Sequence, residues 1–310
     1  MANESLPLSL IEAVVYFADP AKASDFVAKM RWADGIAICP NCDSRDHYYL
    51  ASRRVWKCKV CKKQFSVKVG TIFEDSPLSL SKWLPAVWLL ANSKNGISSH
   101  ELGRALGVTQ KTAWFMLHRI RAAMQAGSLD KLSGIVEVDE TYIGGLSKNM
   151  HAKDRAERIT GGGAVDKTAV IGALQRGGDV RAEIITDLTA PSLQGYVKDN
   201  VVNNSMVFTD SASAYNGLRW NFEHGATDHK VGQYVNGIIH SNGIESFWAL
   251  LKRSIKGTYI AIAPKHLQAY LDERAFAYNH REEHDLYRFT MAMQNITGRR
   301  ITYKELVSLP

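Results

Sequence analysis

A chain of 310 residues is longer than one hydrophobic core usually serves, so two or three domains are expected. With 45% hydrophobic and 22% charged residues, extensive disorder is excluded, and the longest apolar stretches, such as residues 83–91, are too short to span a bilayer. A net charge of +7 favours a polyanion, chiefly nucleic acid, as partner.

The start, Met1 to Ser5, lacks the basic region of a signal peptide, so a cytoplasmic protein is expected. Asp19-Pro20 reads as a helix N-cap followed by proline at the first helical position, and the apolar spacing of Phe26, Val27 and Met30 carries that helix to about Trp32. All four cysteines then follow as Cys39-Pro-Asn-Cys42 and Cys58-Lys-Val-Cys61. Two C-x-x-C loops at this separation predict one tetrahedral Zn²⁺ held by Cys39, Cys42, Cys58 and Cys61. Short strands at 48–50, 55–57 and 64–68 complete a ribbon. Lys57, Lys59, Lys62, Lys63 and Lys68 crowd it, with Trp56 and Phe65 between them, which suits a phosphate backbone.

Residues 78–126 read as helical. An apolar helix covers 80–91. Ser98 or Ser99 starts a second, Gly107-Val108 turns the chain, and Thr109 caps a third whose inward face is Ala113, Met116, Leu117 and Ile120. That is the pattern of a helix-turn-helix. Gln110 and Lys111 near the start of the last helix are placed to reach base edges, and Arg119 and Arg121 to hold phosphates, with Thr112 and His118 on the same polar side.

From about Gly134 the pattern changes to strands at 135–143, 169–175 and 180–186, a helix at 192–202, a strand at 206–209 and a helix from Asn242. Residues 146–168, rich in Lys, Arg and Gly, read as a mobile basic loop or the tip of a long hairpin. This order is that of a ribonuclease-H-like α/β domain, in which the first and fourth strands are neighbours. Asp139, in the middle of the first, and Asp210, at the end of the fourth, then meet at one place. Two adjacent carboxylates repel unless cations hold them, and a pair of Mg²⁺ ions about 4 Å apart is the usual solution. Asn242, Glu245 and Lys252 share a face of the last helix, where an amide or carboxylate can complete the metal shell and the lysine can hold a phosphate. Asn242 and Glu245 also fit a helix capping box, which needs no chemistry.

Several stretches resemble a known group: Arg31 to Gly35 with Cys39-Pro40; Gln64-Phe65-Ser66 to Phe73; Val138-Asp139-Glu140-Thr141-Tyr142-Ile143-Gly144-Gly145; Thr209-Asp210; and His240-Ser241-Asn242-Gly243-Ile244-Glu245-Ser246-Phe247-Trp248 to Arg253. The chain resembles bacterial insertion-sequence DDE transposases with an N-terminal zinc ribbon, over roughly residues 20–290. The resemblance implies domains of 1–74 (helix and ribbon), 75–130 (helix-turn-helix) and 131–310 (catalytic). It implies two Mg²⁺ ions, cleavage and strand transfer of double-stranded DNA at terminal inverted repeats and target sites, and a homo-oligomer on DNA. Asp139 and Asp210 take the first two ligand positions. Glu245 or Asn242 takes the third, with Glu245 ahead because an anion binds Mg²⁺ better than an amide. Lys252 follows as the basic residue. The rival reading is a DNA-binding regulator that keeps the ribbon and helix-turn-helix without the chemistry.

Overall fold

A computed structural model describes residues 6–125, 130–144, 167–210, 213–227 and 237–308. Most of the expected basic loop, residues 145–166, lies outside the described residues. The helices, in chain order, are α1 (Leu10–Ala18), α2 (Pro20–Arg31), α3 (Leu80–Asn92), α4 (Ser99–Leu106), α5 (Gln110–Met124), α6 (Ala190–Asn200), α7 (Asn242–Ser254), α8 (Leu267–Asn279), α9 (Asp285–Gln294) and α10 (Tyr303–Val307). The strands are β1 (His47–Leu50), β2 (Val55–Cys58), β3 (Gln64–Phe65), β4 (Ile135–Ile143), β5 (Thr168–Gln175), β6 (Val180–Ile184), β7 (Met206–Asp210) and β8 (Glu223–Thr227). Among the described residues no helix is long and apolar enough to cross a membrane.

The chain divides into two compact units, one of Met1–Gln125 with Glu282–Pro310 and one of Ala126–Arg281. In this division the ribbon and the helices that follow it share a unit, to which residues 282–310 also belong. The reason is aromatic packing. α9 brings Phe289 against Phe17, Phe26 and Trp88 at centroid distances of 5.7, 5.5 and 5.0 Å. Ile72 then donates its N–H to Ile296 O at 3.0 Å, and Gly298 its N–H to Gly70 O at 2.9 Å.

Within the first unit the local signals act as expected. Asp19 accepts the Ala21 N–H and Pro20 opens α2. Ser98 and Glu101 form a reciprocal capping box at α4, Gly107 turns the chain at φ 61°, and Thr109 caps α5. α1 has no counterpart in the sequence reading. Its cap is Ser9, it buries Ala13 and Phe17, and it leaves Ile11, Val14 and Val15 exposed. β1, β2 and β3 form an antiparallel sheet, with Trp32 edge-on to Trp56 at 5.0 Å.

The second unit is built on a five-stranded sheet of order β6-β5-β4-β7-β8. β4, β5 and β6 run as an antiparallel meander, and β7 and β8 lie parallel to β4. Period-2 alternation divides each strand between two cores. Val136, Val138, Ile171, Ala173 and Val207 pack with Leu193, Val197, Tyr215 and Leu218 of α6 and the following 3₁₀ turn. Val170, Leu174, Val180 and Ile143 pack on the other face with Ile244, Phe247, Trp248 and Leu251 of α7 and Leu271 of α8. A five-stranded mixed sheet in this order with helices on both faces is a ribonuclease-H-like arrangement. β8 was not legible in Glu-His-Gly-Ala-Thr, which has no apolar alternation.

Candidate functional site

The four cysteines come together as their spacing predicts. Their sulfur atoms all lie within 4.8 Å of one another, with Cys39 and Cys61, and Cys42 and Cys58, 3.6 Å apart. The Cys61 N–H points at Cys58 Sγ at 3.4 Å. Burial raises the Cys58 thiol, but that N–H and the one of Val60, together with the Cys42 and Cys61 thiols, bring it down to about 6. Four thiols converging on one point, with backbone donors that support thiolate, fit a structural Zn²⁺.

The second cluster joins parts of the chain that are far apart. β4 and β7 are in register through Ile135↔Met206, Val136↔Val207 and Glu137↔Phe208. Continuing that register sets Asp139 across from Asp210, with both on the sheet face that α7 covers. Glu245 lies on α7, exposed, and Asp139 and Asp210 are half-buried. Burial raises the Asp139 carboxyl, the charges of Asp210 and Glu245 add to it, and it stands at about 6. Both other acids thus lie near enough to act on Asp139. The three do not close as tightly as the thiols: among the described residues only the cysteines form a group of three or more with every ligand atom within 4.8 Å. Such a set fits hard divalent cations, which relieve the repulsion that raises Asp139.

Two contacts fix this geometry. Trp248 Nε1 donates to Asp139 Oδ2 at 3.1 Å. Gly172, the β5 partner of Asp139, makes room for that indole, because a Cβ there would lie 2.6 Å from Trp248 Cη2. On the other face, Tyr215 Oη donates to Glu140 Oε1 at 2.6 Å. Burial and the charges of Asp210 and Asp139 nevertheless hold the Glu140 carboxyl up at about 7.

The start of α7 departs from the expected capping box. Ser241 is the N-cap, Asn242 is the first helical residue, and the Ser241 side chain accepts no backbone N–H of the helix. Instead Glu137, from β4, accepts the N–H groups of Gly243 and Ile244 at 2.7 and 3.0 Å. Glu245 accepts from Ser241 Oγ at 2.8 Å. Asn242 and Lys252 are exposed. Seven residues, about two turns, separate Lys252 from Glu245 on one face.

At α5, Gln110 and Lys111 are exposed and Thr112 is half-buried. Gln110 Nε2 donates to Ser99 Oγ at 2.8 Å, and Lys111 Nζ sits 4.6 Å over the Tyr303 ring. Arg119 is a correction. It is 3% exposed, and its guanidinium donates to Ile301 O at 2.9 Å and Glu74 O at 2.7 Å. A guanidinium spent on its own unit's carbonyls does not reach phosphate. His118 and Arg121, at 2% and 1% exposure, are buried as well. Lys68 is likewise turned inward, onto Ser76 O and Leu78 O.

Glu137, Trp248 and Gly172 were missed as site residues. A signal for Glu137 was present: it stands two residues before Asp139 on one strand, hence on the same face, and a buried charge needs partners.

The sheet order, the acids on its adjacent parallel strands and the cysteine cluster ahead of them define a zinc-ribbon protein with a ribonuclease-H-like domain. Residues 131–279 match the ISXO2-like transposase domain of the IS1595 group, and residues 19–64 match its transposase zinc-ribbon domain. The chain thus carries two regions similar to the zinc-ribbon and catalytic domains of IS1595-group transposases. It is 29% identical over 272 residues to an uncharacterized protein in transposable element ISH50 of Halobacterium salinarum, across 84% of this chain and 90% of that one. A solved structure of a pre-cleavage Mos1 transpososome is 14% identical, with a TM-score of 0.29, over 67% of this chain and 78% of that chain, too slight a likeness to place any residue.

Proposed function

We propose that this protein is a DNA transposase that binds transposon terminal repeats and carries out divalent-metal-dependent strand cleavage and strand transfer. What supports the reading is the parallel pairing of β4 and β7, which carry Asp139 and Asp210, with α7, which carries Glu245, packed on the same sheet. These three would hold two Mg²⁺ ions. Such ions would supply activation of an attacking oxygen and charge stabilisation of the leaving one in phosphoryl transfer. Glu245 is preferred over Asn242 as third ligand, because an anion binds Mg²⁺ better than an amide. Lys252, two turns along α7, faces a phosphate of the bound strand.

α4 and α5 with the Gly107 turn form the helix-turn-helix that would enter the major groove. Gln110, Lys111 and Thr112 face base edges or backbone, and Arg119 is no longer among the contacts. Exposed Tyr48, with Lys57 Nζ 6.0 Å over its ring, would give the ribbon a second DNA-facing surface. A transposon has two ends, so the working form is an oligomer of this chain on DNA.

The test is cleavage of a duplex carrying the terminal repeat beside the gene, with Mg²⁺. Asp139→Asn and Asp210→Asn are each expected to lower cleavage by about 10³-fold or more while end binding stays within about twofold, as loss of a metal ligand at a phosphoryl-transfer site should. Cutting at wild-type rate by either variant removes that residue from the site. Specific binding without cutting by the wild type, in Mg²⁺ and in Mn²⁺, favours the regulator instead.

A further inference from the structure

A buried carboxylate outside the three acids holds the helix that carries one of them. Glu137 is 1% exposed, on the same strand and the same face as Asp139. Its Oε2 accepts the Gly243 and Ile244 N–H groups at 2.7 and 3.0 Å, the free donors at the start of α7. Its Oε1 accepts from Arg176 Nε at 2.6 Å and lies 3.4 Å from His240 Nδ1. Arg176 also donates to His240 O at 3.0 Å, tying the segment before α7 to the same ion pair. Gly243 permits the approach, since a Cβ on it would lie 2.8 Å from Glu137 Oε2.

Each part has a physical reason. A helix start presents unpaired N–H groups and a partial positive charge, and a carboxylate there is held by both. A buried carboxylate also needs a cation, and Arg176 supplies it. The result is a strong, directional tie between the strand that bears Asp139 and the helix that bears Glu245, made within the helical turn that leads to Glu245.

We infer that Glu137, with Gly243 and Arg176, is a positioning residue that sets Glu245 against Asp139 and Asp210 for divalent-cation binding. The inference rests on the proposed catalytic reading. Glu137 itself touches neither DNA nor metal. It acts through the place and angle of α7, as residues behind metal ligands commonly do.

The test uses the full-length chain as wild type, Glu137→Gln and Gly243→Ala, with Asp139→Asn as control. Hydrogen exchange reads the amides of 243 and 244. Mn²⁺ titration followed by electron paramagnetic resonance reads cation binding, and Mg²⁺-dependent nicking of terminal-repeat duplex reads activity. Both variants should retain zinc and end binding, exchange faster at 243–244, and lose about tenfold or more in Mn²⁺ affinity and in nicking. Protected amides, or fast exchange with wild-type Mn²⁺ affinity and nicking, overturn the inference and leave the catalytic reading standing. If Glu137→Gln fails to fold, Gly243→Ala alone decides between these outcomes. A wild type that neither nicks nor binds Mn²⁺ more tightly than Asp139→Asn overturns the catalytic reading, and the inference falls with it.

Discussion

The ribbon and the acidic cluster are both sets of ligands for a metal, yet they are assembled by opposite means. The ribbon's four thiols come from two short loops, and they close to within 4.8 Å of one another. The acids come from β4, β7 and α7, separated by long stretches of chain, and they approach without closing as far. In the first case covalent spacing does most of the work. In the second, strand register and the docking of a helix do it. Thiols in a knuckle can wait for their metal as neighbours, whereas carboxylates drawn together repel, so their supports must be built into the fold.

The largest expected effect tests the ribbon half of that contrast. Cys58→Ser should abolish zinc binding and open the ribbon to protease, because a metal-held module of this size has little other core. The sheet of the second unit, whose two cores contain no cysteine, should keep its own protection in hydrogen exchange. Equal loss of protection in both units would show that the ribbon is not a separately held module.

Gly172→Ala tests the other half. The new Cβ meets the Trp248 ring at 2.6 Å, so the indole must shift and its bond to Asp139 be lost or lengthened. Overpacking of this kind costs about 1–3 kcal/mol. Denaturant melts should show that loss together with a fall in cleavage. Wild-type cleavage from the variant would mean that the Trp248 contact does not orient Asp139.

A smaller effect separates residues that look alike in sequence. Arg119→Ala should destabilise the protein by about 2 kcal/mol, since Glu74 and Ile301 carbonyls lose their donor, with the salt dependence of end binding unchanged. Lys111→Ala should leave stability within about 0.5 kcal/mol and reduce the salt slope by about one. The opposite pattern would return Arg119 to the DNA surface.

Those two residues show where sequence reasoning stops. Both stand on α5, and helical spacing alone gave both to the polar side. Arg119 is buried by segments distant in sequence, residue Glu74 on one side and Ile301 of the returning chain on the other. Likewise Asn242 and Glu245 have the spacing of a capping box, but the carboxylate that caps α7 comes from Glu137 on a strand over a hundred residues earlier.

The sequence by itself determined the zinc cluster, the caps of α2, α4 and α5, and the strand order that makes Asp139 and Asp210 neighbours. Each of these follows from residue types within a few positions or from the rules that connect successive strands and helices. Tertiary structure alone decided the tie of Glu137 to α7, the niche at Gly172 for Trp248, the burial of Arg119 and the division into two units. These depend on which distant surfaces pack together, and local spacing carries no record of that.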